Sequence, residues 1–151
     1  MFVVERADPR EAAILNLLAA SDAYSASLYP AESNHMLDVE ALLQPQMHFY
    51  KAHRDGVAVA TGGFWAHEDY VEIKRVFVDP AARGLGVSKK LMQVLEDAAR
   101  ALGIKIARLE TGIYQPEALG LYRSIGYVDR GPFGDYKSDP MSVFMEKTLS
   151  F

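Results

Sequence analysis

Arg83-Gly84-Leu85-Gly86-Val87-Ser88 is the part of this 151-residue chain whose residue types most directly imply chemistry. Two glycines let a backbone turn sharply and approach a ligand closely. The turn opens a strongly helical stretch. The first N–H groups of a helix lack internal partners and lie at the positive end of its dipole, so they form an anion site. Arg83, Lys89 and Lys90 add positive charge nearby. A phosphate or diphosphate is the guest these features suit. The turn is not a P-loop, because no G-x-x-x-x-G-K followed by Ser or Thr is present. Nor is it a full dinucleotide turn, since Lys89 stands where the third glycine of G-x-G-x-x-G belongs.

The stretch from Glu72 to Ser88, EIKRVFVDPAARGLGVS, resembles the acetyl-CoA signature of the GCN5-related N-acetyltransferase (GNAT) superfamily. That signature is Q/R-x-x-G-x-G/A at the start of a helix following a strand. Arg83 and Gly86 match it, and Ser88 stands where Gly or Ala is usual, small enough to leave its amide facing a ligand. Downstream, Gln115 to Tyr127, QPEALGLYRSIGY, is similar to the family element N-x-x-A-x-x-L-Y-x-x-x-G-F/Y, with Gln115 in the Asn position. The two motifs fall in the family's order and spacing. The resemblance runs from Phe2 to Leu149 in element order and is specific from Glu72 to Tyr127.

The resemblance implies an α/β (α+β) fold in a single domain over 1–151. Its centre would be a mixed, mostly antiparallel sheet of about six to seven strands, flanked by about four helices. It implies acetyl-CoA as co-substrate, no metal, and transfer of the acetyl group to a primary amine of a small molecule or peptide. Backbone groups of Val76, Phe77 and Val78 would bond the pantetheine amides. The amides of Arg83, Gly84, Leu85, Gly86, Val87 and Ser88 would hold the pyrophosphate. Gln115 would touch the cofactor near its thioester, which would point at Tyr122. The first helix and the loop after it, with Tyr24, Tyr29 and His35, would wall the acceptor pocket, joined by Trp65, His67 and Tyr136. Aromatic packing accounts for these residues equally well.

Tyr122 has two readings. It lies on the apolar face of its helix, where a core tyrosine is ordinary, and the family's general acid falls on the same residue. A thiol ionises near ~8.5 and a phenol near ~10, so hydrogen-bond donation to the departing thiolate is easier than full proton transfer. Glu72 also has two readings. It stands in register with the base position of several family members, and it can equally pair with Lys74 or Arg108. Simple alternation would put Glu72, Lys74, Val76 and Val78 on one sheet face and Ile73, Arg75 and Phe77 on the other. His35, His48, His53 and His67 have no metal-ligand spacing.

These residues need a scaffold, and its elements are readable. Phe2 to Arg6 is β-prone, and Asp8-Pro9 opens a helix expected to run to about Tyr24, burying Ile14, Leu17, Leu18 and Ser21. Residues from Ser25 to Asn34 read as a loop, and Asp38 caps a short helix to Gln44. Two β-rich runs from His48 flank Asp55-Gly56, a hairpin signal. Tyr70 to Val78 is a third strand. Val87, Leu91, Val94, Ala98 and Leu102 mark one face of a helix ended by Gly103. Ile104 to Thr111 is a strand, Pro116 opens a helix stopped by Gly126, and short strands follow at Tyr127-Val128 and Ser142 to Leu149.

Composition bounds the rest. Half the residues are hydrophobic, 24% are charged, the net charge is -4, and there is no cysteine. Disulfides, thiolate metal sites and a cysteine nucleophile are excluded. With no cysteine to carry an acyl intermediate, direct attack by the amine in a ternary complex is expected. The acidic balance disfavours nucleic acid as a partner. No apolar run reaches membrane-spanning length and no signal peptide is apparent, so a cytoplasmic protein is the expectation; the family resemblance implies a monomer or a homodimer. A second reading makes the chain an acyl-CoA sensor without turnover, since the glycine turn would look the same.

Overall fold

A computed structural model describes residues 1–33 and 37–150. Its strands are β1 (Val3–Arg6), β2 (Met47–Arg54), β3 (Val57–Ala66), β4 (Val71–Val78), β5 (Ile106–Gly112), β6 (Val128–Arg130) and β7 (Ser142–Thr148). The helices are α1 (Ala12–Leu28), α2 (Val39–Leu42), α3 (Val87–Ala101) and α4 (Pro116–Ser124). All strands join one sheet in the order β1-β2-β3-β4-β5-β7-β6. Only β4 and β5 run parallel. The expected mixed, mostly antiparallel sheet is what forms, with seven strands and four helices among the described residues. None of those helices is long and apolar enough to cross a membrane.

The hairpin signal is obeyed. Asp55 and Gly56 both take positive φ, 52° and 80°, whose twist matches that of the flanking strands. Boundaries of α1 differ from the expectation. Asp8 accepts the Arg10 N–H and pairs with its guanidinium, holding Pro9 and Arg10 in a turn ahead of the helix. At the other end the helix continues through Leu28, until Tyr29, forced towards extended backbone by Pro30, stops it. Tyr24 therefore sits within the helix and Tyr29 caps it. The buried residues are those the spacing indicated, Ile14, Leu17, Leu18 and Ser21.

Helices cover both sheet faces. On one, α1 and α2 pack Ile14, Leu17, Leu18 and Leu42 against Met47, Phe49 and Phe77. On the other, α3 and α4 bury Leu91, Leu95 and Tyr122 against Phe64, Val71, Ile73 and Met145. A leucine buried as completely as Leu91 stabilises the fold by about 1.5–3 kcal/mol. The inward face of α3 is rotated from the expected one. Met92, Leu95, Glu96 and Ala99 turn inward with Val87 and Leu91, while Leu102 is half exposed. The helix has apolar residues on either side of its stripe, and the rotation brings the Glu96 carboxylate to Lys147 and Tyr127.

Candidate active site

The site begins where two parallel strands part. β4 and β5 pair only from Val71 to Ile73 against Ala107 to Leu109. Beyond that point β4 bulges. Its register with β3 shifts between Thr61 and Gly63, so an extra residue is accommodated beside Gly62. Arg75 takes φ 59°, a left-handed conformation costing an arginine about 1–2 kcal/mol. Three contacts hold it there. Its carbonyl accepts from the Thr61 hydroxyl at 3.0 Å, its guanidinium reaches Asp22 at 2.7 Å, and it donates to the Leu18 carbonyl at 3.3 Å. The bulge overturns the simple alternation. Ile73, Val76 and Val78 face α3, whereas Phe77 packs on the α1 side, where Arg75 also reaches Asp22 on α1.

Past the bulge, Asp79 accepts the Ala81 N–H at 3.0 Å and caps a single 3-10 turn, Pro80–Ala82. Arg83 is extended; its N–H bonds the Pro80 carbonyl at 3.3 Å and its Nε donates to the Val78 carbonyl at 3.3 Å. Gly84 and Gly86 follow at φ 79° and 82°, and Gly86 caps α3 with no side chain of its own to fill the helix end. Among the described residues, the N–H groups from Gly84 to Lys89 have no partner. Buried or ligand-facing donors require one, so this cradle suits a diphosphate.

The parted strands and this cradle open on one cavity of ≈ 520 Å³. Val76, Phe77, Val78, Arg83, Gly84, Gly86, Val87, Ser88, Gln115 and Tyr122 all line it, as do Glu72, Tyr24, Tyr29 and Tyr136. Leu85 is 53% exposed and its side chain is not part of the lining, which leaves its amide to the cradle, whereas the Arg83 amide, expected there too, is taken by the Pro80 carbonyl. Trp65 does not line the cavity, because it packs against the core beneath α1. His35 lies outside the described residues.

The two catalytic candidates sit in unlike surroundings. Tyr122 is buried, which pushes its phenol well above the usual range, and its hydroxyl has no hydrogen-bond partner among the described residues. Glu72 is engaged. Its Oε2 meets the Lys74 ammonium at 3.1 Å and accepts the Tyr136 hydroxyl at 2.5 Å, the pairing with Lys74 that the sequence left open. Arg108 turns instead to Glu146 at 2.6 Å. A third group went unread in the sequence. Glu110, on β5, lines the same cavity and accepts from the Ser142 hydroxyl at 2.7 Å. Burial raises its carboxyl to about 7, against the lowering by that hydrogen bond and by Lys74. The available signal was a charged residue between Leu109 and Thr111 in a strand flanked on both sides.

Tyr29 closes one end of the cavity. Its hydroxyl donates to Gln115 Oε1 at 3.3 Å and accepts the Tyr114 N–H at 3.0 Å, pinning the β5–α4 connection to the end of α1. The ring lies on Gly112, where an added Cβ would stand 1.8 Å from the hydroxyl oxygen. Gly112→Ala should therefore displace Tyr29, lowering stability by about 1–3 kcal/mol as overpacking does. A thermal melt unchanged from wild type would show that the ring does not rest there.

An acyl group carried on a diphosphate-bearing arm is what a parted parallel pair, an anion cradle and a shared cavity are shaped to receive. Fold and site define an acyl-CoA-dependent transferase. The model of the acetyltransferase (GNAT) family matches residues 13–127, and the chain belongs to that family. It is 45% identical over 148 residues to a protein named IAA acetyltransferase from Azospirillum brasilense, covering 97% of each. It resembles a crystal structure named as an acyl-CoA N-acyltransferase from Klebsiella pneumoniae, with TM-score 0.85 and 35% identity over 99% of both chains. The PaiA N-acetyltransferase of Thermoplasma acidophilum, solved with coenzyme A, shares the fold at TM-score 0.78 and 14% identity, again over 99% of both. The chain is an acetyltransferase of a family that uses acetyl-CoA, which sets aside the sensor reading.

Proposed function

We propose that this enzyme transfers acetyl from acetyl-CoA to a primary amine of a small molecule or peptide, by direct attack within a ternary complex. The observation that carries this reading is a single cavity. It joins the unpaired edge of β4 and the unpartnered N–H groups from Gly84 to Lys89 to Glu110 and Tyr122. The β4 edge at Val76, Phe77 and Val78 would hold the pantetheine arm, and the cradle its diphosphate. The alkylammonium first gives one proton to a carboxylate; the free amine nitrogen then bonds to the thioester carbonyl carbon, the carbon–sulfur bond breaks, and the second proton leaves the nitrogen for the departing thiolate, giving the thiol and the amide.

Glu110 is the better acceptor of the first proton. Glu72 already carries Lys74 and Tyr136 on Oε2. Taking a proton from an alkylammonium of pKa ~10.4 onto the Glu110 carboxylate, near 7, is uphill by about 5 kcal/mol. Glu72 then orders the acceptor end through Lys74 and Tyr136. Tyr122 donates a hydrogen bond to the departing thiolate; with its phenol raised by burial, it keeps its proton.

An acetyl-CoA-dependent thiol-release screen identifies the acceptor. The panel holds amino acids, polyamines, aminoglycosides, arylamines and peptides, with IAA, the compound in the Azospirillum relative's name, as a separate arm. Initial rates with the best amine are expected to give intersecting lines when both substrates are varied. Parallel lines would overturn direct attack.

A further inference from the structure

Among the described residues Tyr122 has no side-chain hydrogen bond to fix its ring, so packing fixes it. Behind it is Tyr127, 5.9 Å away between ring centroids and edge-on at 63°. The Tyr127 N–H also bonds the Tyr122 carbonyl at 2.9 Å, closing the end of α4. Tyr127 is almost wholly buried, and its hydroxyl donates to Glu96 Oε2 at 3.0 Å. The other oxygen of Glu96 takes the Lys147 ammonium at 2.8 Å, with Arg100 farther off at 3.8 Å. The Lys147 ammonium lies 5.7 Å from the centre of the Tyr127 ring. The chain of contacts thus runs from β7 through α3 to the ring that abuts Tyr122.

An ion pair of this kind, with Glu96 buried and Lys147 partly exposed, is weak evidence of stabilisation, because apolar residues of similar volume commonly serve as well. What a hydrogen-bonded carboxylate gives that apolar packing does not is one fixed orientation of its partner. A phenylalanine at 127 would fill the same space without being held about its ring axis or along its length. Tyr127 is held at its far end by Glu96, and its near edge limits where the Tyr122 ring can stand.

We propose that Glu96 and Tyr127 are positioning residues for acetyl transfer, fixing through ring contact the place of the Tyr122 hydroxyl in the cavity. The inference rests on the proposed role of Tyr122. Misplacing a reacting group by about 1 Å costs up to ~100-fold in rate, so a loosened ring should cost about 10-fold.

The test uses four proteins: wild type, Tyr127→Phe, Tyr122→Phe and the double variant. Thiol release from acetyl-CoA is followed with benzylamine and, without amine, as hydrolysis. Tyr127→Phe is expected to lower kcat about 10-fold while KM for acetyl-CoA stays within about 2-fold, and to have no further effect once Tyr122 is phenylalanine. Independently of any acceptor, the Cζ resonance of Tyr122 in protein labelled with [13Cζ]tyrosine, assigned from Tyr122→Phe, should shift or broaden in Tyr127→Phe. Glu96→Gln, which keeps an oxygen for the Tyr127 hydroxyl, should lose less activity than Glu96→Ala. An unchanged Tyr122 resonance, or full additivity of the two tyrosine changes, would overturn the proposal. Full turnover in Tyr122→Phe alone would instead overturn the role of Tyr122, even with the resonance shifted.

Discussion

Glu110→Gln is expected to lower kcat for amine acetylation by about 100-fold or more, and at the same time to raise the melting temperature at pH 8. Both effects come from one carboxyl. Burial holds it near 7 in the folded protein, against an ordinary 4.5. Between those two values the folded chain keeps a proton that the unfolded chain has lost, so stability falls as pH rises from 4.5 to 7. Above 7 the loss is complete, about 3 kcal/mol by the size of the shift. Glutamine is never ionised and still accepts from Ser142, so it escapes this penalty while losing the ability to take a proton. The two proteins should melt alike at pH 4 and diverge by pH 8, with the variant higher. In wild type, kcat/KM should climb through about pH 7, since that profile reports the free enzyme, to which this value belongs. A variant that retains wild-type kcat would return the proton to Glu72 or to water.

Opposed effects on rate and stability are how a working group differs from a packing group. Gly112→Ala should lose stability because it removes a fit, whereas Glu110→Gln should gain it because it removes a strained charge. The same contrast explains what could be read from the residues alone. The cradle was legible because its determinants are local: glycines at positive φ, a helix start and nearby basic residues all fall within a few positions of each other. The hairpin at Asp55-Gly56 was legible for the same reason. The bulge was not. Nothing between Glu72 and Val78 marks an arginine at positive φ, and its supports come from Asp22, Leu18 and Thr61, far away in the chain. Missing it put Phe77 on the face of Ile73, when the two pack into different cores.

Glu110 and Glu96 were missed alike, each a charged residue whose partner lies dozens of positions off, Ser142 for one and Tyr127 and Lys147 for the other. Period-based reading assigns such residues to solvent by default. Trp65 follows the second of its two readings, aromatic packing. Cross-strand pairing sets it beside Glu72, but its bulk belongs to the core under α1. At Leu85, what a turn offers a ligand is backbone, and the side chain is left outside.

Tyr122→Phe carries the second large effect: kcat down about 10- to 100-fold, with binding of coenzyme A unchanged within about 2-fold. The substitution removes one oxygen from a buried ring and leaves the edge contact with Tyr127 in place. No hydrogen bond within the described protein is lost, because the hydroxyl has none to lose. The hydroxyl opens on the cavity and has no partner to lose among the described residues, so the variant should be about as stable as wild type. Two observables then separate the chemical role from the core role. A core tyrosine whose hydroxyl did nothing would leave kcat untouched. A donor to the thiolate would lose rate in proportion to how much charge develops on sulfur, so thioesters with a more acidic thiol should be hurt less by the change than acetyl-CoA. Burial keeps the phenol protonated across the working pH range, so the loss should be the same at pH 6 and pH 9. A loss that grew or vanished with pH would mean that the hydroxyl gives up its proton after all.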